Sequence, residues 1–402
     1  MFFKRFVFSD FFAKNWKNLT ACRLFLALIR EEMMKLDKQT AQAIVKRTMQ
    51  IIPNSVNVMD EQGIIIASGD PSRIGERHTG AVIVLRHNQA VEIDEKLAKQ
   101  WNYEAREGLN LPIRYLGKTI GVIGISGAPE AVRHYAELVT MAAELIVEQA
   151  IVLETERWQR RYKEEFIRQL LKGSLNREQT EQQARFFNLN PAQALAAIII
   201  KLNKPTSEEL QTVLLHLEQQ QQNASVVVVD LDKLVLLLPV EELLQRQKHK
   251  TLNQLFPSQT VETDYRMVIG CQVGHFVEAH FSYQSALHTL AYAENNHTKK
   301  QIICFEAYRL QALLADFSHS WQAKELFTPV QQLISQDEKN VLFKSLQQYF
   351  LSNCDLVHAS EKLFIHQNTL RYRLERIEQI TSLSFNKIED KFILYLGAIL
   401  MP

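Results

Sequence analysis

The stretch LFKSLQQYFLSNCDLVHASEKLFIHQNTLRYRLERIEQI, residues Leu342–Ile380, carries the clearest fold signal in the chain. Its spacing predicts a first helix over about Glu338–Leu351, ending before Asn353. Asp355 is placed to cap a second short helix, Leu356–Leu363, in which Ala359 is small enough for a close helix crossing. Phe364-Ile365 forms the turn, and His366 can cap a third helix that begins at Gln367. Leu370, Leu374 and Ile377 then fall at i, i+4 and i+7 and make a buried stripe. Gln367, Asn368, Thr369, Arg371, Tyr372, Arg373 and Arg376 are left outward. Glutamine and asparagine match adenine edges, arginine matches guanine or phosphate, and threonine and tyrosine can bond phosphate oxygens. These seven are therefore candidate DNA contacts on the second helix of a helix-turn-helix. The segment Lys362–Arg376 holds four basic residues against one acid. A last amphipathic helix, Lys387–Leu400, packs the unit.

Outside this segment the charges balance. The 402 residues carry 46 Lys and Arg against 45 Asp and Glu, a net charge of +1, so attraction for a duplex has to be local. Hydrophobic residues at 46% and charged residues at 23% describe ordinary globular protein with material for several cores, which excludes collagen-like and disordered classes. Four scattered cysteines form no CxxC pair, which argues against a zinc site or a disulfide framework and suits a reducing, cytoplasmic setting. Residues 1–34 are rich in Phe and basic, with six basic and three acidic residues, yet their longest apolar run is Leu24–Ile29. That run is too short to span a bilayer. Residues 1–35 read as an extension with no role in the fold, the working chain starting near Met33 or Met34. A membrane-surface helix is the rival reading, and stable membrane association is not expected.

From Leu36 to Ile52 the apolar residues recur at helical spacing, and then the period changes to two. SVNVM, the turn Asp60–Gly63 and IIIAS read as a β-hairpin, Gly63 supplying the positive φ. A loop, GDPSRIGERHTGA, leads into a short helix Gly80–Leu85 with Thr79 as a candidate N-cap. LPIRYLGKTIGVIGIS gives two further strands about Leu116-Gly117-Lys118. Helix, hairpin, loop and hairpin fit a mixed sensor of PAS or Cache type over residues 36–130, with an antiparallel sheet and a ligand pocket on one face. Gly121, Gly124 and Gly127 lie in a strand context, not at a strand-to-helix turn, so close backbone packing explains them better than nucleotide binding. A carboxylate site wants basic side chains together with free backbone N–H groups at a helix start. His78, Thr79, Gly80, Arg73 and Arg106 supply these, with Arg77 in reach, and Asn110 is a candidate partner for a hydroxyl or else a turn residue.

At NVMDEQGIIIASGDPSRIGERHTGA and NLPIRYLGKTIGVIGISG the chain resembles the sugar diacid recognition domain of the carbohydrate diacid regulator (CdaR) family. It is similar, more loosely, to Cache and PAS domains that sense citrate and C4-dicarboxylates. The resemblance covers roughly residues 36–170 and implies a small hydroxylated carboxylate as effector. The C-terminal unit, residues 335–402, resembles the PucR-type helix-turn-helix, and through NTLRYRL that of the Fis family. Leu363-Phe364 depart from the glycine often found at the turn.

Between these ends, Pro129 to about Lys172 contains neither glycine nor a further proline and reads as one helix of some forty residues, about 60 Å long. Leu138, Ala142, Leu145, Gln149 and Val152 give it an apolar stripe that wants a partner, so residues 131–173 are expected to dimerise the protein. A break near Glu154–Arg157 would divide it in two. Residues 174–330 read as α/β: helix Arg177–Phe187, strand Ala194–Lys201, helix Ser207–Gln221, strands Ser225–Val229 and Leu234–Leu238, helix Glu241–Phe256, strand Arg266–Cys271, helix His280–Glu294 and strand Ile302–Cys304. This order resembles the GGDEF-like domain of CdaR and PucR-type regulators, a relative of the diguanylate cyclase fold. A cyclase hairpin needs glycines for close nucleotide approach and acids for metal. VVVVDLDKLVLLL offers only Asp230 and Asp232, ordinary turn residues. The domain reads as a non-catalytic transmitter, a nucleotide cyclase being the alternative. No catalytic set, metal site or cofactor motif declares itself.

The expectation is a multidomain α/β plus all-α protein: a Cache/PAS-like α+β sensor, a long linking helix, a degenerate GGDEF-like domain and a C-terminal helix-turn-helix. Its function would be ligand-responsive transcription regulation. By resemblance it would activate genes for uptake and breakdown of sugar diacids, such as glucarate or galactarate, or of glycerate. Its expected partners are double-stranded DNA, the carboxylate effector, a second copy of itself and RNA polymerase.

Overall fold

A computed structural model describes residues 35–101, 106–220, 225–258, 261–296, 298–315, 317 and 320–401. The extension expected over residues 1–35 lies almost wholly outside the described residues. The chain divides into two compact units, Met1–Lys163 and Glu164–Pro402.

The first unit is a five-stranded antiparallel sheet with helices on both faces. In chain order it comprises α1 (Lys38–Thr48), β1 (Val56–Met59), β2 (Ile65–Ser68), α2 (Thr79–His87), β3 (Val91–Ile93), α3 (Glu95–Gln100), β4 (Gly108–Tyr115), β5 (Lys118–Ser126) and the start of α4 (Pro129–Leu171). The strand order is β2-β1-β5-β4-β3. The expected hairpin is present, with Gly63 at φ +78°. Alternation sorts the sheet residues. Val56, Val58, Leu109, Ile123 and Ile125 pack under α1 and the first half of α4, while Met59, Ile65 and Val122 pack under Ala81 and Val84 of α2.

Several expectations need correcting here. The N-cap of α2 is His78, not Thr79, which is the first helical residue. Asn110 is no turn residue: it sits inside β4, opposite Val91 of β3 and Gly124 of β5. The short elements β3 and α3 escape the sequence reading because three residues of strand and six of helix carry too little period.

Helix α4 is unbroken over 43 residues, and Gly173 follows it at φ +67°. It has two apolar faces, one packed within the first unit and the other bearing Leu138, Leu145 and Val152 of the expected stripe. Val132, Ala136, Val139, Ala143 and Val147 bury against the sheet of the first unit. Leu138, Met141, Leu145 and Val152 stand on the other side, each about half exposed.

The second unit begins with the end of α4 and continues as α5 (Arg177–Phe186), β6 (Leu195–Leu202), α6 (Ser207–Gln220), β7 (Ser225–Asp230), β8 (Lys233–Pro239), α7 (Val240–His249), β9 (Tyr265–Ile269), α8 (Ala279–Asn295) and β10 (Ile302–Cys304). The sheet order is β10-β9-β6-β8-β7, with β10 parallel to β9 and the other pairs antiparallel. Strand β6 is covered on both faces, which is why LAAIIIKL reads as an apolar run without alternation. Leu195, Ala197 and Ile199 pack with α8 and with Phe166, Ile167, Leu170 and Leu171 of α4, and Ile198 and Ile200 pack with α6 and α7. Helix α7 stops at His249, short of the expected Phe256, because Lys250 takes a left-handed φ of +56°.

After β10 come α9 (Arg309–Leu313), α10 (Trp321–Leu326), α11 (Thr328–Gln336), α12 (Val341–Leu351), α13 (Leu356–Lys362), α14 (Gln367–Thr381) and α15 (Ile388–Leu400). The helices α9 to α11 were not read from the sequence. Val330 and Leu333 of α11 bury with Phe343, Leu346, Leu370, Leu374 and Ile377, so the helix that crosses the expected boundary at 330 packs with the C-terminal bundle. The start of α12 is set by Asp337, whose carboxylate accepts from the amides of Val341 and Phe343 at 3.0 and 2.9 Å. Asp355 and His366 cap α13 and α14 as their spacing predicts. At the turn Phe364 itself adopts φ +54° and is 95% exposed. The missing glycine is therefore replaced by a strained phenylalanine, at a cost of about 1–2 kcal/mol. Among the described residues no helix is long and apolar enough to cross a membrane.

Candidate effector site and nucleic-acid interface

The face of the first sheet under α2 carries a polar row between apolar neighbours. Ser68, Asn57, Gly124 and Asn110 stand opposite one another across β2, β1, β5 and β4. The Oδ1 of Asn57 accepts from Ser68 Oγ at 2.6 Å. Asn110 is buried, and its Oδ1 accepts a hydrogen bond from no described residue. Gly80, at the start of α2, abuts the same amide: a Cβ there would stand 2.8 Å from Asn110 Nδ2 and 3.2 Å from His78 Cε1. The sheet and the helix thus bring His78, Gly80 and Asn110 together.

The loop before α2 adds a buried cation. Backbone bonds from Gly75 to Ile65, from Ile65 to Glu76 and from His78 to Gly63 lay this loop along β2. Asp70 caps a single 3-10 turn, Pro71–Arg73. Arg73 is only 8% exposed, and its Nε lies 3.6 Å from the carboxylate of Glu76, which is itself largely in solvent. A buried guanidinium with so remote a counter-charge wants an anion. His78 feels it too: burial first, and the Arg73 charge second, press its pKa from 6.5 down to about 4. His78 is therefore a neutral imidazole near neutral pH. Its Nδ1 accepts from the Ala81 amide at 3.3 Å, which leaves the proton on Nε2 as a donor. The Gly80 amide, in the first turn of α2, lacks an intrahelical acceptor and sits at the positive end of the helix dipole.

Arg106 does not join this group. It is exposed, with Nη1 3.8 Å from Asp70 Oδ2. Arg77 lines an open cleft with Glu61 and Arg86 on the outer side of α2. What the sequence reading missed is the polar row. Its signal was present: Asn57 and Asn110 each interrupt an apolar strand at its centre.

On α14, Gln367, Asn368, Thr369, Arg371, Tyr372 and Arg376 are exposed together, as the spacing predicts. Arg376 bonds Gln379 at 2.9 Å and keeps its surface position. Arg373 is different: its Nη1 donates to Ser345 Oγ of α12 at 3.0 Å, so it braces the bundle and is only partly available to a ligand.

In the middle of the second unit, the hairpin between β7 and β8 presents Asp230 and Asp232. Lys233 Nζ lies 3.1 Å from the first and 3.4 Å from the second. The amide of Leu231, and then Lys233, hold the Asp230 carboxyl below its usual range. A lysine thus occupies the place of a cation between these acids.

Comparison with known proteins adds three matched families: sugar diacid recognition over residues 36–170, a GGDEF-like domain over 172–292, and the PucR C-terminal helix-turn-helix domain over 342–400. The chain is 51% identical to a Haemophilus influenzae protein of no assigned function, over 91% of this chain and 100% of that one. It is 32% identical to the Carbohydrate diacid regulator of Escherichia coli, over 90% of this chain and 97% of that one. The Bacillus subtilis protein YsfB, also uncharacterized, is 23% identical over 90% and 98%.

His78 gives a pH signature. Above pH 6.5 it is neutral folded or unfolded and contributes no pH dependence. Below that, the unfolded chain takes a proton that the folded one refuses until about pH 4, so stability falls through that window, by about 3 kcal/mol in all. Urea unfolding of ligand-free protein at several pH values should show this descent in wild type and not in His78→Asn, which keeps a capping side chain. Parallel curves would show that His78 ionises normally.

Proposed function

The chain belongs to the family of carbohydrate diacid regulators, and from that premise we propose that it senses a small hydroxylated carboxylate in its first unit and regulates transcription through α14. DNA-binding transcription regulation is common ground with the family and its helix-turn-helix. The observation that carries the ligand half is Arg73, a buried cation whose charge reaches the neutral donor of His78 at the start of α2, where the Gly80 amide stands. Such a set takes a carboxylate without protonation of the histidine. We read residues 36–130 as a Cache/PAS-type sensor, 131–173 as the connecting helix, 174–330 as a transmitter and 335–402 as the DNA reader. Glucarate, galactarate and glycerate are the effectors to try first. The regulator would act in the cytoplasm, as an activator touching RNA polymerase. Enzymatic activity has no support: the Lys233 contact with Asp230 and Asp232 speaks against a cyclase.

The exposed Leu138, Met141, Leu145 and Val152 are spaced three, four and seven apart on α4, which suits a helix-to-helix seam between two copies. Sedimentation of the full chain at micromolar concentration should give a dimer, and Leu145→Glu should give a monomer. A wild-type monomer would remove the seam.

Thermal unfolding with a panel of hydroxy- and dicarboxylates tests the sensor. At a hundred times its Kd an effector should stabilise the fold by about 2.7 kcal/mol. Arg73→Ala should lose that stabilisation while DNA binding without effector persists. Stabilisation unchanged in Arg73→Ala would refute the site.

For the reader, the N-terminal part of the recognition helix lies nearest base edges. Gln367, Asn368 and Arg371 are therefore assigned to sequence readout and Arg376 to phosphate, with Thr369 and Tyr372 supporting the backbone contact. Arg371→Ala should cost about 1–3 kcal/mol at one base pair and shrink the specific-to-nonspecific ratio. Arg376→Ala should weaken all duplexes alike and lower the salt slope by about one. Titrations on operator and scrambled duplexes at several salt concentrations separate the two, and an Arg371→Ala protein with its discrimination intact would reverse the assignment.

A further inference from the structure

We infer that Asn110 accepts a hydrogen bond from a neutral hydroxyl of the effector, and that this contact selects hydroxy acids over their deoxy and amino counterparts. The inference rests on the carboxylate reading of the site. It starts from a buried acceptor: Asn110 is 3% exposed, and its Oδ1 has no hydrogen-bond partner among the described residues. Such an orphan in the middle of a strand calls for a reason.

The fold makes room for this amide on both sides. A Cβ on Gly124 would stand 3.0 Å from Asn110 Oδ1, and one on Gly80 would stand 2.8 Å from Nδ2. Neither glycine has a left-handed φ, so backbone conformation does not require them there. At Gly124 the amide is the nearest obstacle to a side chain, and at Gly80 it shares that place with Ile93 Cδ1, also 2.8 Å away. In the same polar row Asn57 has its Oδ1 satisfied by Ser68 within the protein, so this sheet can satisfy a buried asparagine. At position 110 it does not.

The surroundings choose the donor. An ammonium group would face the buried Arg73 guanidinium and the positive end of α2, and is repelled. A hydroxyl carries no such penalty. The Nδ2 of this amide lies on the Gly80 side and the acceptor Oδ1 on the Gly124 side, so the hydroxyl is met at the sheet, beside the helix start that serves the carboxylate. Ile93 Cδ1 and Met59 Cε crowd the Gly80 and Gly124 sides of the amide, which makes the slot apolar apart from Asn110. An effector without the hydroxyl would leave the acceptor buried and unpaired, a loss of about ten- to a hundredfold in affinity.

Titration calorimetry of the full chain with matched acids tests this: malate against succinate and aspartate, glycerate against 3-hydroxypropionate and serine. The hydroxy member of at least one set should bind about ten- to a hundredfold tighter than its two counterparts. Asn110→Ala should reduce its affinity to that of the deoxy acid. Gly124→Ala, which presses a methyl group against Oδ1, should do the same should the first variant fail to fold. Arg73→Ala should abolish binding of every member. Equal binding of hydroxy and deoxy acids, or preference for an amino acid, with Arg73 still required, overturns the role of Asn110 and leaves the carboxylate reading standing. Binding that survives Arg73→Ala, or wild-type protein that binds no acid in the panel, overturns both.

Discussion

One helix is a structural member of two separate hydrophobic cores. Val132, Ala136, Val139, Ala143 and Val147 of α4 close the first unit, and Phe166, Ile167, Leu170 and Leu171 of the same helix close the second. Neither core is complete without it. The helix is unbroken over its 43 residues. The sensor side grips it further at its polar face. Arg133 makes a two-pronged contact with Glu92 of β3, at 3.2 and 2.7 Å, and Glu144 accepts from the Arg114 amide at 2.9 Å. Glu92 is adjacent to Ile93, which touches Gly80 in the candidate site, so the wall of that site and the connecting helix share a strand.

The long periodic elements were legible from residues alone. The hairpin about Gly63, the strands about Gly117, the middle sheet and the three helices of the C-terminal reader stand within a few residues of their expected positions. These are segments where burial, capping and turn chemistry agree. Failures came where those signals compete or are short. On α4 the stripe through Leu138 and Leu145 stands exposed, and the face that packs at home was not singled out. The face that packs at home uses valine and alanine, which allow close approach to a sheet. At α2 a threonine drew the cap assignment, although His78 one position earlier has a ring nitrogen able to do the same work.

The candidate site was half readable. His78 and Gly80 stand at a helix start, a local feature that a sequence displays. Arg73 and Arg106 looked equivalent as loop cations, and only the fold separates them: one is buried and the other faces water beside Asp70. The row from Ser68 through Asn57 and Gly124 to Asn110 depends on register between four strands, which no single stretch contains. Gly124 was ascribed to close backbone packing or a bulge, and what it packs against is the side chain of Asn110, directly opposite on the neighbouring strand.

The neutrality of His78 has a bearing on the carboxylate site proposed for this unit. A cationic imidazole would make the grip on an acid depend on two variables at once, the amount of acid and the acidity of its surroundings. Here the permanent charge comes from a guanidinium that does not titrate, and the imidazole has already given up its proton well below neutrality. A cell that drifts by a pH unit while it degrades its carbon source would leave the charge of both groups unchanged. A carboxylate bound there as proposed would meet the same charges across that range, so its occupancy would follow concentration alone.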